Sequence, residues 1–333
     1  MPEHLDHYRG KTVLVTGGAG SIGSNLSRAL AGLGATVIVL DDLSSAPPWN
    51  LPEDPSVLFV EGSVVDEARL DDVFQRGPSL VFHLAALFAN QNSVDHPELD
   101  LTVNGMGTLR ILQRSASAGV ERFVFASSSS IYASDAALPL NERARSLLHE
   151  TPYQITKVLG EMYCDYFHLH QGLDVVKPRL FNSYGPGEAP GRYRNVIPNF
   201  VHRAMSGLPL MVTGTGDETR DFTYVGDIVD GLLRLGFCPD ASGHSVNLGS
   251  GRETRIADLA EAVNRLTGNG AGVHHRPRRD WDSKSRRCAD ISKAKSLAGY
   301  DPATSLEEGL ERTVSWFRDN WDSIGPAVSG LNG

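Results

Sequence analysis

From Lys11 onward, short apolar runs alternate with stretches in which apolar residues recur at helical spacing, and this alternation constrains the fold more than any other feature of the chain. The runs Thr12 to Val15, Thr36 to Leu40, Val57 to Val60, Leu80 to Leu84, Arg122 to Phe125 and Asp174 to Val176 read as strands, several of them apolar on both faces, as strands buried inside a parallel sheet are. Between them, Ile22, Leu26, Ala29, Leu30 and Leu33 fall on one helical face, as do Leu70, Val73 and Phe74, and Leu109 and Leu112 within a helix expected over 98–118. Strand and helix in alternation build βαβ units, so the expected class is α/β with a doubly wound parallel sheet.

After Arg179 the rhythm breaks at a Gly/Pro-rich loop, Tyr184 to Gly191, followed by an expected helix from Val196 to Met205 and a strand from Leu210 to Val212. A helix from Val225 to Phe237 and a strand from Ser245 to Leu248 are expected to return to the sheet, and an amphipathic helix covers Ile256 to Leu266. The division expected is therefore a nucleotide-binding domain of residues 1–178 plus about 223–248, and a smaller, discontinuous C-terminal α/β substrate lobe of 179–222 plus 249–333. The chain's 333 residues suit two such units.

Lys and Arg number 31 against 40 Asp and Glu, a net charge of −9, which argues against a general affinity for nucleic acid or anionic membrane. Any phosphate must be caught locally; the one basic cluster, Arg276 to Arg287, reads equally well as a solvated loop. No apolar run approaches the ~18 residues of a membrane span, and Met1 to Gly10 lacks the apolar stretch of a signal peptide, so a cytoplasmic protein is expected. Cys164, Cys238 and Cys288 lie too far apart for a disulfide framework, and no spacing points to a metal.

Thr16-Gly17-Gly18-Ala19-Gly20-Ser21-Ile22-Gly23 joins the first strand to the first helix. Its glycines permit a tight turn, let backbone approach a pyrophosphate and let helix pack on strand, while the helix N-terminus offers N–H groups and a positive dipole end to the phosphates. This is a Rossmann-type dinucleotide turn. Asp41, followed by Asp42, ends the second strand 18 positions after Gly23, where an acid accepts hydrogen bonds from an adenosine ribose. A carboxylate there repels the extra phosphate of NADP, and no Arg follows at 42–46, so NAD is the expected cofactor.

Tyr153 and Lys157 stand four apart after Thr151-Pro152, a helix-start signature, so both side chains share one helical face. A tyrosine that titrates near ~10 serves as a base at neutral pH only if its phenolate is stabilised, which a neighbouring ammonium does directly. Upstream, Ser127 to Ser130 follow a strand at the carboxyl edge where ligands of such sheets bind.

With these motifs in place the chain resembles the extended short-chain dehydrogenases/reductases of the NAD-dependent nucleotide-sugar epimerase and dehydratase type. The likeness runs almost end to end: Thr16 to Gly23, His83-Leu84-Ala85-Ala86, Asn104 before Gly107-Thr108, Tyr153 with Lys157, Arg179 to Gly187, Asn195 to Pro198, and Gly214 to Val225. The resemblance implies that Tyr153 is the acid/base on a sugar hydroxyl, Lys157 its pKa tuner and ribose ligand, and Ser128 the donor to the reacting oxygen. It implies cofactor-lining roles for Gly17, Gly20, Ser21, Ile22, Asp41, Asp42, Val64, Leu84, Ala85, Ala86 and Asn104, and for Ser63, which replaces an aspartate common in relatives. On the nucleotide-sugar side it implies Ser129, Asn182, Asn195, Val196, Arg220, Arg279 and Asp282. Arg192 and Arg194, in the loop before Asn195, read first as ordinary loop cations or diphosphate ligands, and they would also suit a sugar carboxylate. The resemblance further implies a homodimer formed through the segments 98–118 and 152–171.

Dehydratases that the chain resembles carry Thr-Asp-Glu where this sequence reads Ser128-Ser129-Ser130, and elimination needs an acid/base pair beyond Tyr and Lys. Oxidation and re-reduction remain, so the expected activity is 4-epimerisation of a UDP-hexose or UDP-hexuronic acid through a transient 4-keto sugar. The alternatives are a 4,6-dehydratase using Glu142 or Asp135, a decarboxylase, a net ketoreductase, and a nicotinamide-sensing module without turnover. Phe88 and Ala133, which depart from relatives near the site, bear on the substrate rather than the fold.

Overall fold

The computed structural model describes residues 3–278 and 285–327. Seven strands, β1 (Thr12–Thr16), β2 (Thr36–Asp41), β3 (Val57–Glu61), β4 (Leu80–His83), β5 (Arg122–Phe125), β6 (Ser127–Ser128) and β7 (Val175–Leu180), join with Ser245–Leu248 in one sheet. Its order is Ser245–Leu248, β7, β5, β4, β1, β2, β3, with β6 beside β7, and every pairing is parallel. The sheet is apolar on both faces. Val13, Val15, Val37 and Val39 pack under the helices Ser21–Gly32 and Val225–Phe237, whereas Leu14, Ile38 and Val81 pack under Thr108–Ser117 and Pro152–Gln171. Alternate residues thus enter two cores, which is why the strands read as unbroken apolar runs.

Two elements differ from the sequence expectation. β7 continues four residues past Val176, through Lys177-Pro178-Arg179-Leu180, because its partners change: Val176 pairs with Val124 of β5, but Arg179 pairs with Ser127 of β6. The register sets Pro178, which has no N–H to donate, opposite Ala126 at the break between β5 and β6, a position a central strand can give to proline. The helix expected over 98–118 is three pieces: Pro97–Asp100, a π-helical stretch Leu101–Gly107, and Thr108–Ser117. π-Helical turns inside α-helices concentrate at functional sites, and this one carries Asn104.

The chain after β7 builds a lobe with its own core of Tyr184, Phe200, Val212, Leu259, Leu310 and Phe317. Asn182–Tyr184 pairs in parallel with Phe222–Tyr224, and Leu210–Thr213 with Val273–Arg276. Of the described members of the basic cluster, Arg278 lies 3.7 Å from Glu218, Arg286 pairs with Glu253, Arg287 is buried with a bond to the Tyr132 carbonyl, and Arg276 is exposed. No helix among the described residues is long and apolar enough to cross a membrane, and all three cysteines are buried and unpaired.

Candidate active site

The carboxyl ends of β1, β2, β4 and β5 converge with the first turns of two helices. After β1, the helix Ser21–Gly32 starts at Gly20 with no side-chain cap, so its leading N–H groups face outward as an anion site. The glycines there are steric necessities. A Cβ on Gly17, whose φ is +71°, would lie 2.7 Å from the Ala85 nitrogen, and one on Gly23 would lie 2.1 Å from the Gly17 carbonyl oxygen. Asp41 is held at the end of β2 by the backbone N–H groups of Ala19 (3.0 Å) and Leu43 (2.9 Å), which leaves lone pairs for a ribose; burial raises its pKa against those bonds. Asp42 instead accepts from Ser44 N–H in a local turn. The cradle and the carboxylate fit the adenosine diphosphate half of NAD.

Below the turn, Leu84 N–H donates to the Thr16 carbonyl and Ala85 N–H to its hydroxyl, fixing the segment Leu84 to Ala86 beside Gly17. Val64 is buried against Gly107, and Ser63 Oγ sits 3.5 Å from Val65 N. Asn104 clamps the next residue of that segment, accepting from Leu87 N–H at 2.7 Å.

Tyr153 and Lys157 occupy the first two turns of Pro152–Gln171, both buried. Thr151 stands at the N-cap position, yet its hydroxyl donates to Asn90 Oδ1 (2.8 Å), and Ser93 Oγ accepts the Tyr153 N–H instead (3.0 Å). The helix start is therefore pinned by the helix Asn90–Asp95 rather than by its own cap. Lys157 Nζ donates to the Ala126 carbonyl at 2.8 Å, in the break between β5 and β6, and lies 5.6 Å from the Tyr153 ring centre. Burial brings its pKa down to about 8, opposed by the charge of Asp100. Burial pushes the Tyr153 phenol up, a hydrogen bond with Ser128 pulls it down, and Asp100 adds to the rise. Ser128 Oγ also accepts from Ser130 N–H (3.1 Å), and Ser129 begins a 3₁₀ turn. Ser128, Tyr153 and Lys157 thus meet as one cluster, with the Phe88 ring edge-on to Tyr153 at 6.2 Å.

On the lobe side, Asn182 opens a strand, Val196 is the first residue of the helix Val196–Met205, and Asn195 is its N-cap residue. Asn195 Nδ2 donates to Glu188 (3.0 Å), a buried carboxyl whose pKa is pushed up to about 7 by burial. Arg220 lies in the two-residue strand Thr219–Arg220 and donates to the Thr219 carbonyl. Arg192 is largely exposed and pairs with Asp95 at 3.1 Å, joined there by the Tyr193 hydroxyl at 2.8 Å. The expected ligands Arg279 and Asp282 lie outside the described residues.

Sequence reasoning missed several supports of this site. His83 at the end of β4 is fully buried, with Nδ1 2.7 Å from Thr16 Oγ1 and Nε2 3.0 Å from Thr108 Oγ1. Thr108 spends its one proton on the Asn104 carbonyl (2.6 Å), so His83 donates from Nε2 and accepts at Nδ1. Deeper in the helix, Glu161 accepts from Ser127 (2.6 Å) and from Arg179 through both oxygens (2.8 and 2.7 Å), tying β6 to the helix that carries Tyr153. The four-residue step from Lys157 to Glu161 was the one signal of it along the chain.

A profile of the NAD dependent epimerase/dehydratase family matches residues 13–249. UDP-glucose 4-epimerase of Mycolicibacterium smegmatis is 34% identical over 310 residues, 92% of this chain and 98% of that protein. Among solved structures, the epimerase Mth375 of the thermophilic, pseudomurein-containing methanogen Methanothermobacter thermautotrophicus superposes with a TM-score of 0.97 at 52% identity, covering 98% of this chain and 97% of that one. UDP-glucose 4-epimerase of Thermotoga maritima, solved with UDP-glucose, gives a TM-score of 0.88 at 34% identity, covering 93% and 99%. The chain belongs to the NAD dependent epimerase/dehydratase family.

Proposed function

We propose that this protein is a UDP-sugar 4-epimerase, acting on a UDP-hexose or UDP-hexuronic acid, in which Tyr153 moves the proton of the C4 hydroxyl. The observation that carries this reading is the Ser128, Tyr153 and Lys157 cluster combined with serines at 129 and 130, where elimination would need acids. Glu142, an alternative acid, accepts from Asn247 N–H at 2.9 Å, and Asp135 is exposed; neither has a bond to Tyr153 among the described residues. Its similarity to UDP-glucose 4-epimerases supports the same reading.

Gly17, Gly20, Ser21, Ile22 and Asp41 would hold NAD, with Leu84 to Ala86, Asn104 and Lys157 along its nicotinamide half. Bound there, NAD would supply the reversible hydride acceptor that oxidation and re-reduction at C4 require. Ser128 donates to the C4 oxygen, the Lys157 ammonium stabilises the Tyr153 phenolate that takes the C4 hydroxyl proton, and the resulting phenol restores that proton to the C4 oxygen when C4 is reduced again. Preorganised donors at that oxygen supply the main catalytic stabilisation. Asn182, Asn195, Val196 and Arg220, with Ser129 beside the sugar, form the nucleotide-sugar side. The domains divide as 1–178 with about 223–248, and 179–222 with 249–333. Exposed apolar residues on the helices at 97–117 and 152–171, including Leu101, Met162 and Leu169, support a homodimer through these helices. The unpaired thiols suit a reducing cytoplasm.

The test is incubation of purified protein, without added cofactor, with a panel of UDP- and dTDP-sugars including UDP-glucuronic acid, read by mass spectrometry and proton NMR. Unchanged mass with an altered H4 coupling supports 4-epimerisation and names the sugar. Loss of water or carbon dioxide overturns it.

A further inference from the structure

Asp100 is fully buried at the junction between the short helix Pro97–Asp100 and the π-helical stretch, and the scheme above gives it no task. Its Oδ2 accepts from the Thr156 hydroxyl at 2.7 Å, and its Oδ1 accepts from the Asn104 amide, also at 2.7 Å. For N–H···O the second distance is at the short end of the ordinary range, where charged acceptors are found. Thr156 precedes Lys157 and lies one helical turn after Tyr153, so the carboxylate grips the catalytic helix between its two reactive side chains. Asn104, the other donor, holds Leu87 N–H. One buried carboxylate therefore fastens the helix, the π-helical stretch and the loop after β4 to each other.

A carboxylate in that position needs an opposing charge, since burial without one costs several kcal/mol or drives protonation. Asp100 forms no ion pair within 4 Å among the described residues; burial raises its pKa, and the Thr156 hydrogen bond, the attraction to the Lys157 ammonium and the Asn104 hydrogen bond oppose that rise. Lys157 in turn has only the neutral Ala126 carbonyl as a hydrogen-bond acceptor among the described residues. The other titratable groups facing this pair are Tyr153 and Cys164 from the same helix, and His83 from β4, held neutral by burial.

We propose that Asp100 is a positioning residue for the Tyr153 and Lys157 pair: it sets their helix face through Thr156, and its negative charge keeps the buried Lys157 protonated. The proposal rests on the reading of Tyr153 as acid/base and Lys157 as its ammonium partner. Other carboxylates near the helix do not share the task, because Glu161 is already neutralised by Arg179. An uncharged residue at 100 would leave Lys157 to lose its proton at lower pH, and the phenolate would lose its stabiliser.

The experiment compares pH profiles of kcat and KM for wild type, Asp100→Asn and Thr156→Val, with the UDP-sugar turned over fastest in the panel. Asp100→Asn is expected to move the alkaline limb of kcat down by about 1 pH unit, lowering kcat on that limb about tenfold, with KM and bound NAD unchanged. Thr156→Val keeps the charge and is expected to lower kcat without moving the limb. A wild-type limb in Asp100→Asn overturns the proposal, as does an equal displacement in both variants. Should Asp100→Asn fail to fold, ¹⁵N NMR of lysine-labelled wild-type protein, assigned with Lys157→Met, decides: an ammonium at pH 7 supports the proposal, a neutral amine overturns it. Tyr153→Phe is the control for the underlying reading. If it turns over substrate, that reading fails whatever Asp100 does.

Discussion

His83 shows how one buried side chain couples the cofactor turn to the pH range in which the fold survives. Burial brings its pKa to about 3 in the folded chain, against 6.5 as its ordinary value. Between these values the unfolded chain binds the extra proton, so stability is full above about pH 6.5 and declines as pH falls toward 3. Thermal melts are expected to show Tm dropping between pH 7 and 5, and His83→Gln, which retains a donor and an acceptor, to flatten that drop. The steric counterpart is Gly23. A methyl 2.1 Å from the Gly17 oxygen forces the turn open, so Gly23→Ala is expected to purify without the nicotinamide absorbance of wild type and to melt lower, a shift checked by differential scanning fluorimetry. Gly23, Asp41, Tyr153 and Lys157 were legible because their chemistry follows from spacing along one strand, one turn or one helix. His83, Asp100 and Glu161 were not, because their meaning depends on Thr16, Thr108, Thr156 and Arg179, partners 18 to 67 positions distant.

Among the elements, the loop before Val196 is anchored across the cleft. Asp95, at the end of the helix Asn90–Asp95, accepts from Arg192, from Tyr193 and from Gln91 (2.9 Å), and hydrogen bonds with Tyr193 and Gln91 hold its carboxyl below the usual range. The same helix pins the start of Pro152–Gln171 through Asn90 and Ser93. The lobe loop and the helix Pro152–Gln171 thus share one support. Asp95→Ala is expected to free the loop and raise KM for the UDP-sugar several-fold, with kcat changed less, because the Asp95 hydrogen bonds hold a binding loop and touch none of the reacting atoms; steady-state kinetics checks it. Most helices and strands matched their apolar period, but the π-helical stretch did not announce itself. Its sequence, Leu-Thr-Val-Asn-Gly-Met-Gly, is compatible with either winding, and its glycines lie close against other segments: a Cβ on Gly107 would meet Val64, and one on Gly105 would touch Leu159.

For the whole molecule, the question is what covers the apolar residues outside the two sheet cores. Ile155, Met162, Tyr166 and Leu169 recur along one side of Pro152–Gln171, with Leu169 72% and Met162 57% exposed, and Leu101 and Met106 are exposed on the neighbouring segment. An apolar face of this kind is more than scattered surface residues, and the proposed homodimer would cover it by a two-fold, self-complementary contact. The double substitution Met162→Asp with Leu169→Asp is expected to convert a particle of twice the chain mass into one of 36.0 kDa, measured by light scattering after size exclusion, with NAD retained.

Sequence alone determined the class of fold, the dinucleotide turn and the Tyr153–Lys157 pair, because periodicity and short-range spacing are set by the backbone geometry of strands, turns and helices. Only the tertiary structure decided that Ala126 offers its carbonyl to Lys157, that Ser93 caps the helix carrying Tyr153, and that Asp100 lies buried against Thr156. These pairings join distant segments, and long-range packing, not local propensity, selects which buried polar groups satisfy one another.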